Sequence, residues 1–260
     1  MLTLLPYLPK RRFQGLYGNT AVGAVLGTPL GVCANCVAPI GQGLLQGGAS
    51  PATMLATMIS SPTLNVVVLA MAFTLLPLPM ALLRLAAPVV LLALIPLLAG
   101  RREEPEPPVA CPIETNPVET RPMLAFPSVL RAYVLNLGRL ALGTVPWMIV
   151  AGLLGAVVVE LVPAQNLPLQ VSVLGIALVA LLGTFAPVPI AFDVAVGWIL
   201  LHRGVPAPYV STLVCTLGAF SIYPMFIVGR SLSWRVALRV FTAVAAVGAL
   251  AGLATMALPL

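Results

Sequence analysis

The sequence predicts an all-α, polytopic membrane protein made of two structural repeats, each with a broken or re-entrant segment. Three observations carry this expectation. The chain is 60% hydrophobic and only 8% charged, with a mean hydropathy of +1.07, whereas soluble domains carry about 25% charge. Apolar runs of the roughly 20 residues that cross a bilayer recur along most of its length. Finally, a shift of 156 residues lays residues 24–48 on residues 180–204 without a gap. Nine of those 25 positions are then identical. Four of the nine are Leu or Ala, which this composition supplies freely. The Gly27/Gly183, Thr28/Thr184, Val32/Val188, Gly41/Gly197 and Gly48/Gly204 matches carry the weight.

Taken in order, MLTLLPYLP is apolar but is followed by Lys10, Arg11 and Arg12, the reverse of a cleavable signal peptide. Residues 20–46 are apolar and interrupted by Gly and Pro. Residues 52–78 form a long run broken at Pro62, and residues 82–99 a clean short span. Residues 101–128 hold five of the seven acids and many prolines, so they read as a polar cytoplasmic linker without a core. Residues 130–161 predict a long helix containing Pro146. Residues 170–201 are broken at Pro187 and Pro189, and residues 208–229 and 235–258 complete the set. The division is therefore 1–100 as first repeat, 101–128 as linker and 129–260 as second repeat. The helix at 130–161 has no counterpart ahead of residues 20–46. The first repeat is thus expected to be N-terminally incomplete, through truncation or because a neighbouring chain covers the groove.

Lys and Arg orient such a chain, since basic residues concentrate on the cytoplasmic side. If each broken segment enters and leaves on one face, Lys10, Arg11, Arg12, Arg101, Arg102, Arg121, Arg131, Arg230 and Arg235 share a side. Arg84 and Arg203 then lie opposite, with Arg139 and Arg239 inside spans. This asymmetry favours an inverted repeat in the inner (plasma) membrane, its irregular tips meeting to line a pathway. The net charge of +6 is accordingly assigned to orientation and lipid headgroups, not to nucleic acid.

The chemistry concentrates in GVCANCVAPIGQGL, residues 31–44. Cys33 and Cys36 are spaced for one helix face or for chelation by a loop. Thiolates select soft ions, and two of them make half of a tetrahedral site, which argues against permanent zinc. The plain alternative is that buried cysteine packs as a small apolar residue. Asn35, Pro39 and the glycines tell against mere packing, because packing needs no unwound, amide-bearing segment. In SSPTLN, Pro62 frees a backbone carbonyl one turn upstream. Ser60, Ser61, Thr63 and Asn65 then either satisfy the kink or face a pore. Asp193 is the sole acid of the second broken segment. A carboxylate at mid-membrane costs roughly 2.5–3.5 kcal/mol on insertion scales and marks function by default; a coupling proton is the reading, and a position near the interface or pairing with a base such as Arg203 or Arg139 the alternative. Cys111 and Cys215 read as incidental, Glu160 as interfacial, His202–Arg203 as a loop anchor and Trp147, Trp198 and Trp234 as belt residues. With one His and no nucleophile–base set, an enzyme is not expected, nor is a cofactor.

The stretch GVCANCVAPIGQGLLQGGASPATMLATMISSPTLNVVVL resembles the central motif of the predicted permease family that includes the organoarsenical efflux permeases. That motif is a Cys-Ser-Cys-Gly-x-x-Pro core, a Gly and a Ser-Pro-x-x-Asn signature, repeated in the second half. Cys33, Pro39, Gly48, Ser61, Pro62 and Asn65 fall on it. Asn35 stands at the second family cysteine, Cys36 at the glycine, and the second half reads APVPIAFD with no cysteine. The family's opening transmembrane helix is missing. The resemblance is close over residues 13–99 and weak over 130–258. It implies a membrane permease, and for some members efflux of trivalent arsenicals.

These readings predict a secondary transporter of a small thiophilic solute. Its substrate contacts would be Cys33, Cys36, Asn35, Pro39, Ser61, Pro62 and Asn65, with Cys33 and Cys36 also the soft-ion ligands and Asp193 the coupling group. The rival is a transmembrane thiol–disulfide electron conduit, and a third reading is a permease subunit that needs a partner. The expected partners are the lipid bilayer and a small-molecule or ion substrate, with a homo-oligomer or a partner membrane chain left open.

Overall fold

A computed structural model describes residues 15–99 and 171–257, together with Leu135, Gly138, Leu142, Ile149 and Leu153, which are helical. The expected linker, the helix at 130–161 with Arg139, Pro146, Trp147 and Glu160, the basic cluster Lys10–Arg12 and Cys111 lie outside the described residues. The described part is all-α. Its elements are α1 (Leu16–Gly27), a 3-10 turn (Thr28–Leu30), α2 (Ala34–Gln46), α3 (Pro51–Thr63), α4 (Val66–Leu75) and α5 (Leu78–Leu98). After residue 171 follow α6 (Val173–Phe185), α7 (Phe192–His202), α8 (Ala207–Thr216), α9 (Ile222–Ser231) and α10 (Trp234–Ala257).

Among the described residues two helices, α5 and α10, are long and apolar enough to cross a membrane, and α3 with α4, bent by 41°, forms either a third, broken span or a re-entrant loop. Many large apolar side chains stay exposed on their outer faces, among them Val66, Leu97, Leu174, Leu182 and Leu250. Such a surface suits hydrocarbon and not water.

The breaks have local causes. Cys33 caps α2, its sulfur accepting from the Cys36 N–H at 3.3 Å. Ser50 caps α3 through the Thr53 N–H (3.1 Å) and Asn65 caps α4 through the Val67 N–H (2.7 Å). Each supplies an acceptor that the first turn of a helix lacks. The interruption expected within residues 20–46 falls at residues 28–33, which include Pro29 and Gly31, while Pro39 lies inside α2. The break expected at Pro62 is shifted. Pro62 is the penultimate residue of α3, and the chain turns at Leu64 and Asn65. A proline removes one ladder bond; near a helix end that loss is small, and the capping side chains decide where the helix stops.

The same local features recur 156 residues apart. Helices α3, α4 and α5 begin at Pro51, Val66 and Leu78, and α8, α9 and α10 at Ala207, Ile222 and Trp234. The Thr28 hydroxyl donates to the Ala24 carbonyl (2.9 Å) as the Thr184 hydroxyl donates to Ala180 (2.7 Å). Both α2 and α7 end on a glycine in the left-handed region, Gly48 at φ 91° and Gly204 at φ 81°, where a side chain would be strained. Helix contacts match as well. Gly27 lies against Ser60 and Gly183 against Thr216, and a Cβ at either would collide with the hydroxyl. Gly41 lies against Met54 and Met58, as Gly197 does against Val210 and Val214. Small residues at these crossings let backbones approach where hydrocarbon supplies no hydrophobic drive.

Packing within each series runs α1 on α3 and α5, and α6 on α8 and α10. The α1–α3 seam carries hydroxyl bonds, Thr53 Oγ1 to the Asn19 carbonyl and Thr57 Oγ1 to the Gly23 carbonyl, both 3.0 Å. Between the series the packing is crossed: α2 lies on α9, α4 lies on α7, and α5 meets α10. One core therefore joins Val37, Met54 and Ile59 to Phe220, Val228 and Val240. A second joins Val68, Ala72 and Met80 to Val194, Val210 and Val214.

Candidate functional site

The starts of α2 and α7 come together at a narrow crevice. Cys33 and Ala34 line it from α2, Pro62 from α3 and Arg84 from α5; the 188–191 segment and Asp193 line it from the other side. In this conformation it has no room for a water-sized group. Of the residues expected to act, Cys33, Pro62 and Asp193 meet here. Cys33 and Asp193 are both almost fully buried.

Arg84 is the residue that sequence reasoning misplaced. It was expected on the membrane face opposite the basic cluster; it is 1% exposed, inside α5. The span begins at Leu78 rather than near residue 82, which puts Arg84 more than a turn inside. Its Nε and Nη2 donate to Asp193 Oδ2 at 3.0 and 2.6 Å. Asp193 is thus paired with Arg84, a partner the alternative of Arg203 or Arg139 did not include; Arg139 lies outside the described residues. The available signal was Asp193 itself, because a carboxylate in an apolar segment requires a cation. Arg84 was one of the few basic residues flanked by apolar sequence on both sides.

The ion pair spans the two halves of the chain. Both donors converge on one carboxylate oxygen, and Nη1 of Arg84 has no acceptor among the described residues. An unmade bond from a buried charged donor costs about 1–3 kcal/mol or more. Breaking a buried pair by deleting one member costs about 3–5 kcal/mol. Asp193 occupies the first turn of α7, where the helix dipole favours a negative charge.

Cys33 and Cys36 are joined as a disulfide, with their Cα atoms 5.2 Å apart. A disulfide offers no thiolate, so soft-ion binding belongs to the reduced form. Among the described residues no group of three or more His, Cys, Asp or Glu side chains is placed to hold a metal ion.

The remaining expected residues shape the backbone around the crevice. Ser61 Oγ accepts from the Val32 N–H (3.2 Å) and lies 3.3 Å from the Val32 carbonyl, pinning the segment before Cys33. Asn65 caps α4. Asn35 Oδ1 accepts from Ser221 Oγ at 2.8 Å, a bond across the halves that the sequence did not signal. Pro39 is half-buried within α2. Cys215 is free and buried, packed against Ala87 and Ala251. The Trp198 and His202 rings lie 4.3 Å apart, tilted by 45°, with His202 Nδ1 2.9 Å from the Trp198 carbonyl. Comparison with protein-family models, curated proteins and solved structures found no match.

Proposed function

We propose that the chain is a multi-pass permease of the inner membrane, a secondary transporter that exports a small thiophilic solute between two inverted repeats. One observation carries this reading. The starts of two interrupted helices, one from each half, converge on a crevice lined by Cys33, which is bonded to Cys36, and by the Arg84–Asp193 pair. Discontinuous helices in corresponding positions are how transporters build midplane sites. The recurrence of element starts, glycine turns and hydroxyl bonds at a spacing of 156 residues supports the repeat. The crossed packing of α2 on α9 and of α4 on α7 supports an axis between the halves.

In this reading reduced Cys33 and Cys36 bind the solute reversibly. The crevice opens when the halves part, and Asp193 exchanges partners during the cycle. Cys33→Ser is expected to abolish the export activity, read as accumulation of a trivalent arsenical inside everted vesicles, while the protein stays in the membrane at wild-type abundance. Undiminished export by that variant refutes the cysteine role.

A second reading, a thiol–disulfide conduit, is favoured by the Cys33–Cys36 bond and by Cys33 standing at a helix N-terminus, where thiolates are stabilised. Its mark is a mixed disulfide between Cys33 or Cys36 and a thioredoxin-like protein, trapped with the resolving cysteine replaced by Ser.

A further inference from the structure

The guanidinium of Arg84 is only partly used. Nε and Nη2 both address a single oxygen of Asp193, while Nη1 has no acceptor among the described residues. The side chain lines the crevice and is nine-tenths or more buried. Two further sources of positive potential face the same space. Cys33 and Ala34 begin α2, and Ala191 and Asp193 flank the start of α7. First-turn N–H groups of a helix have no partner within it, and they carry the positive end of the dipole.

We infer that the crevice is a binding site for a small oxyanion or carboxylate group, with Arg84 exchanging Asp193 for that group when the halves part. The inference rests on the permease reading for its place in a transport cycle, but not for the existence of the site. Arg84 presents a planar fork suited to two acceptor oxygens. Asp193 gives it only one, and so acts as an internal occupant that an anion can replace. Released from Arg84, Asp193 keeps the favourable potential of the α7 start, so neither charge is stranded. The anionic group would lie beside Cys33. The cargo class is therefore a thiophilic centre that carries a negatively charged oxygen group, not a bare soft cation.

The test has two arms. In the first, purified protein in nanodiscs is titrated with 4-carboxyphenylarsine oxide and with neutral phenylarsine oxide, after reduction with a phosphine. Binding is read by tryptophan fluorescence. Wild type is expected to favour the carboxylate. Asp193→Asn, which frees the fork, is expected to tighten carboxylate binding by about tenfold. The double variant Arg84→Gln/Asp193→Asn, which keeps the volume and removes both charges, is expected to lose the preference. Equal binding of the two probes by wild type, or an unchanged preference in the double variant, overturns the inference. If Asp193→Asn alone fails to fold, the double variant against wild type decides the matter.

The second arm measures uptake of both probes into everted vesicles. A carboxylate preference in binding without transport keeps the anion site and removes the permease reading. Transport of both probes at equal rates, with equal binding, does the reverse.

Discussion

At the scale of single residues, the Arg84–Asp193 pair dominates. Both groups leave water, and their mutual attraction offsets that cost only while both are present. Arg84→Ala is expected to destabilise the folded chain by about 3–5 kcal/mol, because it leaves Asp193 buried and unpaired. The charge-neutral double variant should recover most of that loss. Thermal unfolding in detergent, with a reporter on α10, checks both; a single variant as stable as wild type would show that the pair is not closed in the membrane. Half of this pair was legible in the sequence. Asp193 stood out because an acid in an apolar segment is expensive. Arg84 did not, because the span was read as starting at residue 82, and a misjudged start of a few residues moves a charge from the interface to the interior. Pro79 sits in the first turn of α5, where its missing N–H costs nothing.

At the scale of elements, the interruptions matter more than the helices. The glycines and prolines signalled that α2, α3 and α4 are discontinuous. They did not signal where, because a proline is compatible with both a helix interior and a helix end, and the choice fell to the capping residues Cys33 and Asn65. Asn65→Ala should therefore cost about 1 kcal/mol through loss of the cap on α4, measurable as a lower midpoint in the same unfolding assay with little change in membrane insertion. The seams between helices are more sensitive. A Cβ at Gly27 would meet Ser60 Oγ and lie 2.7 Å from the Thr57 carbonyl oxygen. The hydroxyl can rotate away but the backbone cannot, so Gly27→Ala is expected to cost about 1–3 kcal/mol. Gly183→Ala should cost less, because only the Thr216 side chain is in the way and the nearest backbone atom, Leu217 N, is 3.8 Å off. A glycine variant that unfolds at the wild-type temperature would mean that the α1–α3 and α6–α8 crossings are looser than described.

At the scale of the whole molecule, the two cores are each shared between the halves. Val37 and Met54 sit in one core with Phe220 and Val240, and Val68 sits in the other with Val194 and Val214. Residues 1–100 and 129–260 should then fail as separate proteins and succeed as a pair. Expressed singly, each is expected to be degraded. Expressed together, they should co-purify through a tag on one of them. A stable, monodisperse half would contradict the shared cores. In the sequence the register of 156 residues rests on glycines, which are hard to replace at helix crossings and turns. The crossed arrangement was not legible, because nothing in a linear register says whether α2 rests on its own α4 or on α9.

That crossing has a genetic consequence. A lesion that shortens a side chain on α2 removes the floor beneath α9, so the repair need not lie nearby in sequence. Second-site revertants of an α2 defect should therefore arise on residues 222–231 as well as on neighbouring α3, and those of an α7 defect on residues 66–75 as well as on neighbouring α8, the distant ones more than a hundred codons from the original change.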